Sequence, residues 1–286
     1  MSEFNADLHS HSTVSDGTLN PEDLAARARG QGVTLWSLTD HDELGGQARA
    51  AAAARAQGLD YLCGVEVSVS FLGKTVHIVG LGVDPEDAAL ADGLARTRGG
   101  RAQRARDMAT SLERVGIEGA FDGALDFAGN PELISRTHFA RWLVATGQCD
   151  DVGEVFRRYL TDGKPGYVPH RWAALGDAVR WITGAGGIAV VAHPARYKFS
   201  ANEEYALFSE FKGHGGTAVE VHTGSHSRAD GERFAAAAQE YGLLASRGSD
   251  FHGPGESRVE LGALPALPAA LTPVWDALAH RVLRAA

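Results

Sequence analysis

Side chains suited to holding a metal ion fall at the ends of short apolar runs along almost the whole chain. His9 and His11 open the series in Ala6-Asp7-Leu8-His9-Ser10-His11-Ser12, and Asp40-His41-Asp42, Glu66, His77, His193-Pro194 and Asp250-Phe251-His252 continue it. Residues two apart on a strand point to one face, so His9 and His11 converge. The strand-like runs are Asp7 to His11, Thr34 to Thr39, Leu59 to Ser70, Thr75 to Val83, Gly187 to Ala192, Thr217 to His222 and Leu243 to Ser249. Leu72-Gly73-Lys74 reads as a hairpin turn between two of them. Helical stretches separate most of the others: Pro21 to Gly32 with Asn20 as N-cap, Gly45 to Gln57, Trp172 to Gly184, Glu203 to Lys212, Ala229 to Tyr241 and Pro273 to Ala285. This alternation predicts an α/β fold with a mostly parallel sheet. About seven strands suit a closed or nearly closed barrel, whose chemistry sits at the C-terminal strand ends. His41, His193, His222 and the Asp250–His252 pair all follow apolar runs, where such a fold would place its site.

The rhythm breaks after Asp84-Pro85. From Glu86 to Leu160 the chain reads as helical, arginine-rich and punctuated by glycine. This predicts a barrel built from residues 1–85 and 165–286, with residues 86–164 as a helical insertion capping the strand ends. A formal charge of −9 argues against long nucleic acid or an anionic membrane as a partner. Two unpaired cysteines, Cys63 and Cys149, exclude a disulfide scaffold and a cysteine-type zinc site. The polar start and the lack of a long apolar stretch predict a cytoplasmic protein without a membrane span.

Nine side chains stand as candidate metal ligands: His9, His11, Asp16, His41, Glu66, His77, His193, Asp250 and His252. Six imidazoles and three carboxylates exceed a four-coordinate site, and suit two or three divalent ions sharing a bridging carboxylate. Glu66 is the natural bridge. The donor set accepts manganese, iron or zinc, with Mn2+ the first expectation. Asp7 is a candidate for orienting a ligand imidazole through its free nitrogen. Asp42 and Glu43 belong behind the ligands or in solvent.

Asp7-Leu8-His9-Ser10-His11-Ser12, Ser15-Asp16-Gly17, Thr39-Asp40-His41, Ala192-His193-Pro194 and Gly248-Ser249-Asp250-Phe251-His252 resemble the motifs of the PHP (polymerase and histidinol phosphatase) family. The resemblance spans nearly the whole chain. It implies a distorted (β/α)7 TIM-like barrel with a trinuclear site. One metal would sit on His9, His11, Glu66 and Asp250, a second on Glu66, His77 and His193, and a third on Asp16, His41 and His252. The insertion, Ile134-Ser135-Arg136-Thr137-His138-Phe139 and Gly163-Lys164-Pro165-Gly166-Tyr167-Val168-Pro169 resemble a narrower group acting on nucleotides. That group contains 3′,5′-nucleoside bisphosphate phosphatases, which leave AMP and phosphate from adenosine 3′,5′-bisphosphate, and 5′-to-3′ exoribonucleases acting on short RNA. Histidinol phosphatases are the competing members of similar size.

Phosphoester hydrolysis needs an activated water and neutralised phosphoryl charge, and metals supply both. The catalytic candidates are Glu66, beside which the attacking water is expected, with Asp16, His77 and His252 as alternatives for protonating the leaving oxygen. Substrate candidates lie in the insertion. Arg104 supplies a planar fork for a second phosphate, with Asp107 one turn later as acceptor for a ribose or base. Arg136 and Thr137 begin a helix whose free N–H groups favour anions. Arg101 shares a face with Arg104, and Lys164 and Arg196 are further candidates. Glu220 and His222 are placed behind the ligands. The five tryptophans are assigned to the core, which leaves no stacking platform for a long strand. The expected partner is therefore a small nucleotide or short oligonucleotide. Oligomeric state stays open.

Overall fold

The computed structural model describes residues 4–285. Three short parallel strands, β1 (Ala6–Asp7), β2 (Leu35–Trp36) and β3 (Asp60–Tyr61), form one sheet. Between them lie α1 (Pro21–Gly30) and α2 (Gln47–Gln57). The Asn20 side chain accepts from the Asp23 N–H at the start of α1, Pro21 occupies the first turn, and Arg27 and Arg29 end the helix opposite Glu22 and Asp23. That charge order suits the helix dipole. α1 buries Leu24, Ala25 and Ala28.

A second sheet has the order β6-β4-β5-β7-β8-β9, formed by β4 (Gly64–Phe71), β5 (Lys74–Leu81), β6 (Ala173–Ala174), β7 (Ile188–Val191), β8 (Ala218–Thr223) and β9 (Leu244–Gly248). β5 runs antiparallel to both neighbours and every other pair is parallel. The β4–β5 hairpin turns at Leu72 and Gly73, both at positive φ (46° and 75°), as the twist of a two-residue loop requires. Single bonds tie the two sheets together. Leu8 N–H donates to Arg247 O at 3.1 Å and Asp250 N–H to His9 O at 2.9 Å on one side, and Asp42 N–H donates to Glu66 O at 2.9 Å on the other.

Helices α3 (Ala88–Arg98), α4 (Arg101–Glu113), α5 (Ala120–Leu125), α6 (Arg136–Ala145) and α7 (Val152–Val155) follow β5, and a π-helical turn at Phe156–Leu160 closes the block. Met108, Leu112, Phe139, Leu143, Val155 and Leu160 form a core of their own there. α3 packs elsewhere: Leu90 and Leu94 join the large core with Val179 and Ile182. The outer helices of the second half are α8 (Leu175–Gly184), α9 (Ala201–Gly213) and α10 (Arg228–Tyr241), and α11 (Val274–Ala277) ends the series.

Three expected boundaries moved for tertiary reasons. The helix expected from Trp172 begins at Leu175, because Ala173 and Ala174 pair with Val69 and Ser70 of β4. The expected terminal helix ends at Ala277, and Leu283 instead pairs with Tyr61. β1 is shorter than Asp7 to His11, since beyond Asp7 the backbone bonds singly to the β9 side. No helix among the described residues is long and apolar enough to cross a membrane.

Candidate active site

Glu66 is the third residue of β4, with its side chain fully buried. Its Oε1 stands 3.4 Å from His9 Nε2, 2.9 Å from His77 Nδ1 and 3.0 Å from His193 Nε2. Its Oε2 stands 3.3 Å from His11 Nε2 and 2.9 Å from His41 Nδ1. Asp250 Oδ1 lies 3.5 Å from His9 Nε2 and 3.3 Å from His11 Nε2. Asp16 Oδ1 lies 3.4 Å from His252 Nε2 and 3.8 Å from His41 Nε2. All nine side chains singled out in the sequence therefore meet in one cluster.

The residues fit divalent metal ions. Although they crowd one another, His9 Nε2, His11 Nε2, Asp16 Oδ1, His41 Nδ1, Glu66 Oε2 and His77 Nδ1 are buried and none makes an aligned hydrogen bond among the described residues. Each such group costs roughly 1–3 kcal/mol if left unsatisfied, so six in one place call for a ligand. Donor atoms within 4.8 Å of one another form three groups: His9, His11, Glu66 and Asp250; His11, Asp16, His41 and His252; and His41, Glu66 and His77. His193 falls outside these groups and reaches the cluster through Glu66.

The surroundings fix the donors. Glu220 of β8 accepts from His9 Nδ1 at 2.7 Å and from the His193 backbone N–H at 2.6 Å. The first bond puts the proton on Nδ1 and turns the Nε2 lone pair into the cluster. Asp40 accepts from the Ser12 N–H and from the hydroxyls of Ser12 and Ser15, shaping the loop that presents Asp16. His193 and Asp250 hold positive φ (29° and 56°). Such strain costs of order 1–3 kcal/mol and concentrates at functional sites. Burial alone would raise the Glu66 carboxyl and lower His9. The imidazoles around Glu66 hold it well below its ordinary range, and Glu220, Glu66 and Asp250 hold His9 well above. Burial and Arg196 push His193 down to about 3.

A cleft of about 600 Å³ opens from this cluster, and Arg101, Arg104, Arg136, Thr137, Phe156, Trp172 and Arg196 complete its lining. Arg104 is only 8% exposed and donates to Val168 O at 3.0 Å. Burial, Arg136 and Arg101 push it down to about 9. Burial and Arg196 lower Arg136 as well. Neither Arg104 nor Arg136 has a carboxylate partner among the described residues, whereas Arg101 pairs with Asp42. Ser135 caps α6 and donates to Asp16 Oδ2 at 3.2 Å, and Arg141 donates to Asp16 O at 2.6 Å. These two bonds tie the insertion to the cluster.

Some expectations were corrected. Asp107 is exposed and accepts from Gln103 Nε2 at 2.9 Å. The buried face of α4 runs through Arg101, Arg104, Ala105, Met108 and Leu112, and position 107 lies off it. Lys164 is exposed and outside the cleft lining. Asp7 anchors backbone, accepting from Ser249 N–H at 2.9 Å and Gly262 N–H at 2.8 Å, and holds no ring nitrogen. His222 follows a bulge in β8 and lies against Gly231, away from the ligands. Trp36 is core, but Trp172 forms the cleft wall, with Arg101 and Arg104 at 4.7 and 5.3 Å from its ring centroid. The basic–aromatic triplet His170-Arg171-Trp172 was the available signal.

Residues 7–87 match the PHP domain family. The chain is 54% identical over 282 residues to the 3′,5′-nucleoside bisphosphate phosphatase of Chromobacterium violaceum, covering 99% of both. It is 38% identical over 270 residues to a 5′-3′ exoribonuclease of Haemophilus influenzae, covering 94% of this chain and 97% of that one. Among solved structures, a C. violaceum amidohydrolase with bound sulfate superposes with a TM-score of 0.96 at 54% identity, covering 99% of this chain and 98% of that one. A proposed metal-dependent phosphoesterase of Bifidobacterium adolescentis superposes with a TM-score of 0.82 at 27% identity, covering 97% and 96%.

Proposed function

The chain belongs to the PHP family, and from that premise we propose that it is a metal-dependent phosphoesterase removing the 3′-phosphate from 3′,5′-bisphosphonucleotides. One observation carries the reading. The cleft that ends on the imidazole–carboxylate cluster also holds Arg104 and Arg136, two cations without a carboxylate partner among the described residues. A bisphosphate needs a place for each phosphate, and this cleft offers two of different chemistry.

His9, His11, Asp16, His41, Glu66, His77, His193, Asp250 and His252 would hold two or three divalent ions, manganese first. When bound, such ions neutralise phosphoryl charge and make a water acidic enough to attack. Arg104 and Arg136 hold the 5′-phosphate through charge-assisted bonds, and the Thr137 end of α6 adds N–H donors and a hydroxyl. This clamp sets the 3′-phosphate against the cluster. Glu66, kept ionised by its imidazoles, fixes the inner face of the site. His252 donates Nδ1–H to Asp250 O at 2.9 Å, so its Nε2 faces Asp16 at the cleft wall. O3′ leaves on the Asp16–His252 side of the cleft and takes its proton from water there, since both side chains would be committed to metal. Histidinol phosphate would bring an ammonium group toward two unpaired guanidinium groups, which disfavours that substrate. The bonds between the two sheets support reading the strands as a distorted seven-stranded barrel capped by residues 86–164.

The test is phosphate release with added manganese from adenosine 3′,5′-bisphosphate and from histidinol phosphate. The expected result is turnover of the bisphosphate, abolished by thorough chelation. Preference for histidinol phosphate, or turnover that survives chelation, rejects the proposal.

A further inference from the structure

We infer that Arg141 is a positioning residue for the metal position formed by Asp16, His41 and His252. From behind the cleft, its guanidinium joins the two loops that carry Asp16 and His252 and sets the gap between them. This rests on the metal-dependent reading above.

Arg141 lies in the middle of α6 and is 9% exposed. It does not line the cleft, so it acts through other residues. Its Nη2 donates to Asp16 O at 2.6 Å, and its Nε and Nη2 donate to Glu256 Oε1 and Oε2 at 2.8 Å each. These partners are 125 and 115 residues away in sequence. A planar fork on a carboxylate fixes direction as well as distance. Glu256 belongs to the turn that holds His252. There the His252 and Gly253 N–H groups donate to Ser257 Oγ at 2.7 and 3.3 Å, and the Ser257 N–H donates to Gly253 O at 3.1 Å. Asp16 sits at the other end of the same bridge, with its Oδ1 3.4 Å from His252 Nε2. A bond from the Thr18 N–H to His252 O at 2.7 Å closes the ring of contacts.

Other donors are held from within the sheets. Glu66 and His77 lie on β4 and β5, and Glu220 of β8 fixes His9 and the His193 N–H. Asp16 and His252 lie outside the strands. Asp16 Oδ1 makes no aligned hydrogen bond among the described residues, so its direction comes from Ser135 at Oδ2 and from its own backbone, which Arg141 holds. His41 is steadied in a similar way, since Arg98 donates to Asp42 O at 2.6 Å and Arg101 pairs with the Asp42 carboxylate. α6 is already anchored by Phe139, Ala140 and Leu143. A buried ion pair adds little to folding over apolar residues of similar volume. That leaves geometry as what the Arg141–Glu256 pair contributes. Metal–donor distances tolerate only about 0.2 Å of error, so a loosened loop weakens this position and spares those built on strands.

The test is equilibrium dialysis of chelated protein against manganese, with phosphate release from adenosine 3′,5′-bisphosphate followed in parallel. In Arg141→Met one ion per chain should bind about 10- to 100-fold more weakly, and the others should stay within about twofold. The manganese concentration for half-maximal activity should rise by the same factor. At saturating manganese, kcat and KM should return to within about twofold of wild type. A clamp that only held α6 in place would shift KM as well, because Arg136 begins the same helix. Arg141→Lys keeps the charge without the fork and should fall between. The double variant Arg141→Met, Glu256→Gln leaves no unpaired buried charge and should repeat the loss. Adding Arg141→Met to Asp16→Asn should weaken no further ion, because both act on one position. Equal weakening of every ion, unchanged affinities, or an activity deficit that manganese does not restore overturns the inference. Wild type that binds manganese and hydrolyses no bisphosphate defeats the phosphoesterase reading, and the dialysis result still decides the role of Arg141.

Discussion

Replacing Arg104 with methionine should stabilise the fold while impairing discrimination between substrates. Arg104 is 8% exposed and is pushed from 12.5 down to about 9 by burial, Arg136 and Arg101. That displacement corresponds to roughly 5 kcal/mol held against the folded state while the guanidinium is charged. Methionine keeps the apolar stem but loses the bond to Val168 O, worth about 2 kcal/mol, and the contact with Trp172, worth about 1 kcal/mol. The balance favours the variant by about 2 kcal/mol near neutral pH. The cost applies fully where Arg104 is charged in both folded and unfolded chains, which is below about 9. It fades as pH rises through that value toward the ordinary range, because the folded side chain then sheds its proton first. Denaturant unfolding of chelated protein at pH 7 and at pH 10 should therefore show a larger advantage for the variant at pH 7. The same substitution removes the proposed charge-assisted phosphate contact, so kcat/KM for adenosine 3′,5′-bisphosphate should fall about 10- to 100-fold. Turnover of an aryl phosphate, which has no second phosphate, should barely change. A variant less stable than wild type at pH 7, or one impaired equally on both substrates, would refute the reasoning.

Three other substitutions probe the scaffold. Glu220→Gln cannot accept at full strength from both His9 Nδ1 and the His193 N–H, so metal affinity should fall about 10- to 100-fold in a competition titration with a chelating dye; unchanged affinity would remove Glu220 from its orienting role. A Cβ at Gly248 would lie 2.3 Å from His9 Cβ and 2.5 Å from His9 N. Gly248→Ala should thus lower stability by about 1–3 kcal/mol and reduce metal content, and wild-type values for both would contradict the close packing of β9 on β1. Leu72 holds φ 46° and is 56% exposed. Leu72→Asn should raise the urea midpoint by an amount equivalent to about 0.5–1 kcal/mol, and a lower midpoint would show that the leucine earns its place by packing.

The candidate donor set was open to reading because it depends on residue type and on local position. Imidazoles and carboxylates that follow apolar runs are an unusual use of sequence, and the two-residue period of a strand puts His9 and His11 on one face. Asn20 ahead of Pro21 marks a helix start for equally local reasons. Arg136 at the head of a helix behind Ser135 was also locally encoded. What lies around these residues was a different matter. Asp107 and Arg104 are neighbours in sequence, yet the packing of α4 on the insertion core buries one and exposes the other. The tail after Ala277 has helical composition, but Leu283 found a backbone partner in Tyr61.

From the chain alone follow the α/β alternation, the helical block in its middle and the chemical character of nine donors. Those properties arise from backbone geometry and side-chain type within a few residues. Only the folded arrangement decided that Glu220 reaches across to His9, that Trp172 backs two arginines, and that Arg104 and Arg136 crowd without a counter-charge among the described residues. Each of these joins segments far apart in sequence, and their meeting depends on how whole layers pack, which no local pattern encodes.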